Sequence, residues 1–403
     1  MVLPVIEDGC VIVEGQKILQ VGTYRDLRPQ HVDYEIDGLL MPGLINAHTH
    51  LELSDFSPPR DRLTFVDWVL YLRRQTKSHQ ADHLQTIIQN GVRRGIAESL
   101  RFGITCVGDI AQYPNWVRPV LSAGPIRSVS FGECLGLGPR ECRFDDLLSQ
   151  ALDQKNRSVR MAVGVSPHAP YTVDERGYKK VAALTGYPVC THLAELEDES
   201  AFVSDRSGRL RDLYDRLGID PGMVKTGVSE GVIEWVLRRS GPGWLLVHVN
   251  YCSDTDIALI KRSQASVVWC PRTHDYFGHP PHRWRQMTDA GISVAVGTDS
   301  LLSSPDLNVV EDLRFLYAQN PQIEPQVLWS CVTVQADRAL QWGKHIRSSS
   351  TVSTNTGLGR IEPGAMADLI AFPTRSHDPL REILENPTLY PKQVWIGGTL
   401  TTV

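Results

Sequence analysis

Eight short apolar runs recur through the middle of this 403-residue chain, and helical patterns lie between several of them. The apolar runs are residues 44–51, 104–110, 128–135, 161–166, 189–193, 245–249, 266–270 and 292–297. The helical patterns are residues 65–74, 84–101, 174–184, 208–217, 230–239 and, after Pro305 as a first-turn residue, 306–319. Strands that alternate with helices predict parallel βα units, and eight of them predict an α/β fold, the (β/α)8 TIM barrel. The alternative is an open doubly wound sheet, which favours a Gly-rich first turn, and residues 43–47 are not such a turn.

Strand-like segments at both ends of the chain flank the alternating region. Residues 11–13 and 18–22 predict a hairpin, and residues 368–372 and 393–396 are strand-like as well. We therefore expect residues 1–40 and 357–403 to pair into one small β-sandwich, while residues 41–356 form the barrel. The Ser/Thr-rich stretch 348–356 is expected to be an exposed loop.

The composition is that of a soluble globular protein, with 22% charged and 42% hydrophobic residues. The net charge of −5 offers no attraction to a polyanion, which argues against a nucleic-acid partner. No apolar run is long enough to span a membrane, and the start of the chain does not resemble a secretory signal. The eight cysteines are scattered without a Cys-x-x-Cys pair, which favours reduced thiols and a cytoplasmic protein.

A His-x-His pair, His48 and His50, ends the first apolar run. Side chains two residues apart on a strand point the same way, so both imidazoles would leave the strand side by side. Chance alone supplies roughly 0.4 such pairs in a chain with 13 His among 403 residues, so the pair is weak evidence taken alone. Its value depends on the residues at the ends of the other predicted strands.

Polar groups end or succeed six of the predicted strands. They are His48 and His50 on the first, His168 after the fourth, His192 and Glu195 on the fifth, His248 on the sixth, Arg272 and His274 after the seventh, and Asp299 and Ser300 after the eighth. Any one of them alone is more often a hydrogen-bonded core group than a functional one. Six strands that end in this way meet the expectation for a barrel enzyme, whose chemistry lies at the carboxyl ends of the strands.

His48, His50, His192 and Asp299 form a three-imidazole, one-carboxylate set. Such nitrogen and oxygen ligands suit a divalent ion, with Zn²⁺ preferred and Fe²⁺ as the alternative. A cation there would lower the pKa of a bound water toward neutrality and make hydroxide available.

The same strand ends supply groups that can move protons. Glu195, three residues after His192, is the candidate that takes a proton from water and passes it to a leaving group. His248 could orient the attacked atom or stabilise charge. Asp299 could bind the metal, accept a proton, or do both.

The ordered set of motifs resembles the amidohydrolase superfamily. The motifs are the run from Pro42 to His50, His192-Leu-Ala-Glu195, His248, and the run from Gly297 to Ser300, and Gly364 to Ile370 resembles the return to the β-sandwich. The resemblance covers nearly the whole chain and implies the barrel with its small sandwich. Two-metal members carry a lysine on strand four, which residues 161–166 lack, so one metal ion is expected. His-x-x-Glu on strand five resembles the single-metal branch of deaminases and triazine chlorohydrolases.

Two segments bear on the substrate. The run from Ser166 to Thr172 resembles methylthioadenosine and S-adenosylhomocysteine deaminases, where the His, here His168, contacts the ribose. The residues after His50 depart from the Pro-Met common in those enzymes. Taken with the run from Cys270 to His274 and with Phe277-Gly-His279-Pro, the pattern looks more like aminofutalosine deaminases of the menaquinone pathway, whose substrate is an adenine nucleoside bearing a benzoate.

A benzoate needs a cation, and three arginines lie after strand seven. We expect Arg272, with Arg283 and Arg285 as alternatives, to bind the acid, although surface arginines on a solvated loop explain the latter two equally well. Trp68 is expected to line the pocket, or else to pack within its helix, and Ser300 is assigned to substrate binding.

The sequence therefore predicts a metal-dependent hydrolytic deaminase of an adenine-nucleoside substrate, with 6-amino-6-deoxyfutalosine first and methylthioadenosine, S-adenosylhomocysteine and adenosine next. In that reaction, hydroxide on the metal would attack the aminated ring carbon and ammonia would leave. The alternatives are a deaminase of guanine or another heterocycle, a chlorohydrolase or an amide hydrolase. A non-catalytic scaffold is a further alternative, but such proteins usually lose a ligand or the proton carrier. The resemblance also implies a homodimer.

Overall fold

The structure is a computed structural model that describes residues 5–222, 230–346 and 357–401. The predicted loop at residues 348–356 lies outside these described residues. No helix in the described part of the chain combines the length and apolar character needed to cross a lipid bilayer.

Eight parallel strands form the barrel, in two groups of four. They are β4 (Leu44–Thr49), β5 (Ile104–Ala111), β6 (Arg127–Cys134), β7 (Met161–Pro167), β8 (Cys190–Leu193), β9 (Leu245–His248), β10 (Ser266–Trp269) and β11 (Val294–Val296). Single parallel bridges join the two groups, Val165 with Val189 on one side and Thr49 with Asp299 on the other. All eight predicted strands are present, and the predicted barrel is confirmed.

In the described part of the chain, six strands lie outside the barrel. They are β1 (Gly9–Glu14), β2 (Lys17–Thr23), β3 (Leu39–Pro42), β12 (Leu369–Phe372), β13 (Gln393–Ile396) and β14 (Thr399–Leu400). The first two form the predicted antiparallel hairpin, and the other four form a sheet in the order β14-β13-β12-β3. A bridge between Lys17 and Met366 links the hairpin to the segment just before β12. Both ends of the chain thus contribute to one β-rich unit, while the division at residues 40 and 357 stays a prediction.

Helices connect and cover the strands. The α-helices are Tyr24–Leu27, Phe65–Lys77, Ala81–Arg101, Pro114–Ala123, Phe144–Leu152, Glu175–Ala182, Glu199–Asp205, Arg209–Leu217, Val232–Leu237, Asp254–Ser263, Pro271–Phe277, Trp284–Asp289, Val309–Gln319, Pro325–Cys331, Val334–Leu340, Trp342–Ile346 and Pro379–Glu385, and the 3₁₀ turns are Leu51–Leu53 and Gly138–Arg143.

The helix predicted at residues 84–101 begins earlier, at Ala81, and the predicted start of the helix after the eighth barrel strand is also wrong. The helix after the eighth strand begins at Val309, with the Asn308 side chain accepting a hydrogen bond from the Val310 N–H, and does not begin after Pro305. Asn is a favoured N-cap, so this competing start signal decides the boundary.

The seam between the first and last strands is tight. A Cβ on Gly297 would lie 2.7 Å from the carbonyl oxygen of His48 and 2.9 Å from its nitrogen. Only glycine lets the eighth strand approach the first so closely. The seam brings His48 and Asp299, which are far apart in the chain, to the same end of the barrel.

Candidate active site

Four histidines and one aspartate meet at the carboxyl ends of the strands. The ring of His48 lies 5.0 Å from those of His50 and His192 and 5.6 Å from that of His248, centroid to centroid. Asp299 Oδ1 lies 3.6 Å from His48 Nε2 and 3.5 Å from His50 Nε2. The structure therefore brings together all four predicted metal ligands, with His248 beside them.

The cluster fits a divalent metal ion. Ligand atoms of His48, His50 and Asp299 all lie within 4.8 Å of one another, and so do those of His48, His192 and His248. His48 Nε2 is buried and has no hydrogen-bond partner among the residues that the structure describes. A buried nitrogen without a partner is costly, and a metal ion would remove that cost.

The titration behaviour of the cluster favours the ligating forms. Burial lowers the pKa of His50 to about 4, although Asp299 raises it, and burial with neighbouring imidazoles holds the pKa of His192 well below its usual range. Burial acts to raise the pKa of Asp299, but His48, His50 and His248 outweigh it and hold that pKa below its usual range. Neutral imidazoles and an ionised carboxylate are the forms that bind metals.

Glu195 lies at the edge of this cluster. Its Oε1 is 3.5 Å from His248 Nε2, and its Oε2 accepts a hydrogen bond of 3.3 Å from the Tyr171 hydroxyl. Burial, followed by the charges of Asp299 and Glu199, raises the pKa of Glu195 well above its usual range. A carboxyl group that holds a proton more readily is suited to accepting and returning one near neutral pH.

A second buried carboxylate holds the loop that carries Glu195. Glu199 accepts hydrogen bonds from the backbone N–H groups of Ala194 (2.9 Å), Glu195 (2.7 Å) and Leu196 (3.0 Å). Ala194 has a φ of 48°, a left-handed conformation that is uncommon for residues other than glycine. Glu199 therefore stabilises a turn that aims Glu195 at the cluster.

His168 lies beside the cluster, as expected for a residue that follows the fourth barrel strand, β7. Its ring is 4.9 Å from that of His192, and its Nδ1 is 2.7 Å from the Thr172 hydroxyl. Its Nε2 lies 3.8 Å from Oε1 of Glu133, a buried residue at the end of β6.

The prediction that Arg272 binds a substrate acid is at odds with its surroundings. Its guanidinium is mostly buried and pairs with Asp306 at 2.7 Å and Asp312 at 2.9 Å. Two carboxylates within the protein therefore compensate the charge of Arg272 and hold the first turn after the seventh barrel strand, β10. The contacts of the two alternative arginines do not favour acid binding either. Arg283 pairs with Asp254, and Arg285 is exposed beside the ring of Trp284.

Ser300 makes local contacts in the structure, and its part in substrate binding stays a prediction. It is fully buried, and its hydroxyl accepts a hydrogen bond of 3.3 Å from the Leu302 N–H. The neighbouring Ser303 hydroxyl donates to Asp299 Oδ2 at 3.1 Å and so orients that carboxylate.

Trp68 belongs to an aromatic group next to Glu195. Its ring is 6.3 Å from that of Phe65 and 6.0 Å from that of Phe277, and Phe65 lies 6.3 Å from Tyr171. The indole N–H donates to the Leu302 carbonyl at 3.1 Å, which fixes the ring. Trp68 is thus near the site through Phe65 and Tyr171, and its part in lining the pocket stays a prediction.

Sequence reasoning missed Glu133, Tyr171 and Glu199. Glu199 carries a signal in retrospect, because it lies four residues after Glu195 at the start of the next helix, Glu199–Asp205. Glu133 also carries one, since it ends a buried strand, where a charged residue is unusual. Tyr171 is typical of a core residue and has no comparable signal.

Residues 39–401 match the model of the amidohydrolase family, and the chain belongs to that family. The aminodeoxyfutalosine deaminase of Deinococcus radiodurans is 27% identical over 348 residues, which cover 79% of this chain and 78% of that protein. The 5-methylthioadenosine/S-adenosylhomocysteine deaminase of Carboxydothermus hydrogenoformans is 26% identical over 377 residues, which cover 90% of this chain and 80% of that protein.

Solved structures share the fold. The aminofutalosine deaminase of Helicobacter pylori, in complex with methylthio-coformycin, matches with a TM-score of 0.81 at 23% identity, covering 98% of this chain and 95% of that one. An adenosine deaminase from Xanthomonas campestris with bound zinc matches with a TM-score of 0.74 at 22% identity, covering 98% and 88%. The family resemblance expected from the motifs is therefore confirmed.

Proposed function

We propose that this protein is a metal-dependent hydrolase that deaminates the adenine ring of a nucleoside. The observation that carries the proposal is the position of Glu195, whose carboxylate is 3.5 Å from His248 and next to the cluster of His48, His50, His192 and Asp299. A proton carrier beside a metal-binding cluster is what hydrolysis of an aminated ring carbon requires.

His48, His50, His192 and Asp299 would hold one divalent ion, with zinc preferred over iron. The chemistry that such an ion supplies is Lewis acidity, which brings the pKa of water toward neutrality. Three imidazoles and a carboxylate are a suitable donor set for zinc, and the fold is shared with a zinc-containing adenosine deaminase.

Glu195 has the central chemical role in this proposal. It takes a proton from the water that attacks the ring carbon and delivers it to the ring nitrogen. It then takes the second proton, from the hydroxyl group formed on that carbon, and delivers it to the departing amine. His248, within reach of Glu195, orients the water and stabilises charge, while Tyr171 steadies the second oxygen of Glu195. The overall balance is one water consumed, one ring amine replaced by oxygen, and one ammonia released.

The substrate that we favour is 6-amino-6-deoxyfutalosine, followed by methylthioadenosine, S-adenosylhomocysteine and adenosine. The support is the similarity to an aminodeoxyfutalosine deaminase over 79% of this chain and to a methylthioadenosine/S-adenosylhomocysteine deaminase over 90% of it. Both relatives act on adenine nucleosides by their names. A cytoplasmic location and a homodimer stay predictions.

An ammonia-release screen tests the proposal. Purified protein with zinc is offered 6-amino-6-deoxyfutalosine, methylthioadenosine, S-adenosylhomocysteine, adenosine and guanine. We expect ammonia from the adenine nucleosides, fastest from the first, and little from guanine. Ammonia from guanine alone would move the protein to another deaminase class, and no ammonia from any of the five would contradict the proposal.

A further inference from the structure

The turn that carries Glu195 is fixed through its carbonyl groups as well as its N–H groups. The Glu199 carboxylate binds the N–H groups, and the segment after β9 binds the carbonyl groups. Val249 N–H, for example, donates to the Leu193 carbonyl at 2.9 Å. The carbonyl of Glu195 itself accepts from a side chain, that of Asn250, whose Nδ2 lies 3.1 Å away. Asn250 therefore binds the peptide group directly after the Cα atom of the proton carrier.

This bond defines the orientation of the Asn250 amide. A carbonyl oxygen only accepts, so the amide nitrogen faces Glu195 and the amide oxygen, Oδ1, is left for another partner. Oδ1 lies 3.0 Å from Nδ1 of His274, a buried residue of the helix Pro271–Phe277. A buried amide oxygen needs a donor, and the His274 ring supplies it.

His274 also links Asn250 to the loop that follows its helix. Its Nε2 lies 2.8 Å from the Pro280 carbonyl, which only accepts. Both acceptors are satisfied together when the ring carries a hydrogen on each nitrogen, and a hydrogen on Nδ1 alone is enough for the bond to Asn250. The imidazole thus connects the amide that holds Glu195 to a separate segment of the chain.

The same loop, residues 279–282, contacts the end of β9 at two further points. Nε2 of His282 lies 2.9 Å from the His248 carbonyl, to which it donates. Nδ1 of His279 lies 3.0 Å from the Tyr251 hydroxyl. The backbone after β9 is therefore held on either side of the amide that binds the turn of the proton carrier.

We propose that Asn250 is a positioning residue for Glu195, and that His274 and the loop 279–282 hold its amide in place. The proposal rests on the proposed deamination, in which one carboxylate serves both the attacking water and the ring nitrogen. A displacement of such a group by about 1 Å lowers turnover far more than it lowers substrate binding. The bonds of Asn250 therefore act on kcat, and leave KM and the metal content unchanged.

The test removes the two side-chain contacts one at a time and together. Asn250→Leu keeps the size of the side chain without its amide, and His274→Phe keeps a ring without its nitrogens. Each variant is loaded with zinc and offered the adenine nucleoside that the wild type deaminates fastest. We expect kcat to fall about 10- to 100-fold in each, with KM within about threefold and zinc content unchanged.

The double variant tests whether the two residues act as one unit. It should be no more than about threefold slower than the slower single variant, because both changes remove one linked set of contacts. His345→Phe removes a ring that lies 3.3 Å from the Gly186 carbonyl, ahead of β8, and is the matched control. This control should keep the wild-type kcat.

Hydrogen–deuterium exchange gives a second measurement, which does not depend on turnover. In the zinc-loaded Asn250→Leu variant, we expect the amides of residues 194–196 to exchange about 3- to 10-fold faster than in the wild type, as for the loss of one hydrogen bond. In His345→Phe, the same amides should exchange as in the wild type.

The outcomes separate the two proposals. Wild-type kcat in Asn250→Leu, or a fall in kcat that only follows a loss of zinc, would overturn the positioning role while the proposed function stands. Losses that multiply in the double variant would overturn the link through His274. If one single variant does not fold, the other decides, since both act on the same amide. If the wild type releases no ammonia from any adenine nucleoside, the proposed function fails, and the exchange of residues 194–196 still shows whether Asn250 holds the turn.

Discussion

Four residues next to the site adopt left-handed backbone conformations without being glycine. They are Ala194 (φ 48°), His248 (φ 73°), Val249 (φ 51°) and Asp299 (φ 60°). Val249 is the most unusual, because a β-branched side chain rarely adopts this conformation. Such strain costs about 1–3 kcal/mol per residue and persists where surrounding contacts enforce it. Here, hydrogen bonds from Val249 N–H to the Leu193 carbonyl and from Tyr251 N–H to the Ala194 carbonyl do so.

Buried carboxylates bind the loops at these strand ends. Besides Glu199, Glu52 accepts hydrogen bonds from the Gln112 and Tyr113 N–H groups, and Asp109 accepts one from Leu51. Burial raises the pKa of Glu52 and Glu199 to about 7 in each case, even though these hydrogen bonds act in the other direction. Burying these carboxylates destabilises the folded state, but their hydrogen bonds fix the geometry of the loops.

Changing Glu199→Gln should separate positioning from binding. An amide accepts through one oxygen only, so the three N–H groups lose part of their hydrogen bonding to residue 199. The loop then no longer holds the side chain of Glu195 in its orientation. We expect kcat to fall about 10- to 100-fold, as for weakened hydrogen bonds to a charged group, with KM within about threefold and metal content unchanged. Asp198→Asn, at the neighbouring carboxylate that pairs with Arg209, is the control and should keep kcat within about twofold. Equal activity of both variants would show that Glu199 does not position Glu195.

Changing Glu195→Gln should remove turnover and leave the metal. The amide matches the shape of the carboxylate but cannot accept and return a proton, so we expect kcat to fall by about 10²- to 10⁴-fold. Ammonia release and elemental analysis of the same preparation measure the two properties. Wild-type turnover by this variant would assign the proton transfer to another group.

At the scale of elements, the sequence predicts the strand ends that carry the candidate ligands better than it predicts the contacts of the residues around them. All eight strands are predictable because each is a distinct apolar run, and the four candidate ligands are identified by the strands that they end. The role of Arg272 toward a substrate acid stays a prediction, and the sequence does not reveal that Asp306 and Asp312, which lie far along the chain, approach this arginine. Glu133 was missed because His168 comes close to it only in the folded protein. The partners of Glu199 are N–H groups three to five residues before it, so the sequence held a signal that was not used.

One ion pair between elements should make the stability of the fold depend on pH. Asp337, in the helix Val334–Leu340, pairs with Arg360 at 3.1 Å in the segment that leads to the β-rich unit. Burial raises its pKa to about 6, against the lowering effects of the Leu358 N–H and Arg360. Between about pH 4 and pH 6 the folded state therefore holds a proton that the unfolded state has released, so stability falls as the pH rises through this interval.

Asp337→Asn should remove that pH dependence. From pH 4 to pH 7 the wild type should lose about 2–3 kcal/mol more unfolding free energy than the variant, which corresponds to the displaced pKa. Urea unfolding at the two pH values measures the difference. A wild type and variant whose unfolding free energies change in parallel would show that Asp337 has an ordinary pKa.

At the scale of the whole molecule, a buried ion pair connects barrel and β-rich unit. Arg127, at the start of β6, donates to both carboxylate oxygens of Asp368 at 2.7 and 3.0 Å, and its guanidinium lies 4.7 Å from the centre of the Trp342 ring. This contact is at the amino ends of the strands. The metal-binding cluster is at the opposite ends, so stability and chemistry are concentrated on opposite faces of the barrel, as in other barrels of this type.

Metal removal should destabilise the whole molecule. An ion that binds only the folded state adds about 4 kcal/mol when its free concentration is a thousand times its Kd. We therefore expect a chelator to lower the Tm by several degrees and added zinc to restore it, equally in the wild type and in Glu195→Gln. His192→Ala, which lacks one ligand, should hold little metal and should not respond to the chelator. A wild type that is indifferent to the chelator would contradict a metal centre at this cluster.

The proposed reaction replaces the amine of an adenine ring with an oxygen atom from water. The decisive measurement is turnover of 6-amino-6-deoxyfutalosine in H₂¹⁸O, followed by mass spectrometry and an ammonia assay. We predict a product that carries one ¹⁸O in place of the amine and one ammonia per product molecule. A product without the label, ammonia that does not match it, or no reaction with this compound or with any of the other adenine nucleosides would contradict the proposed reaction.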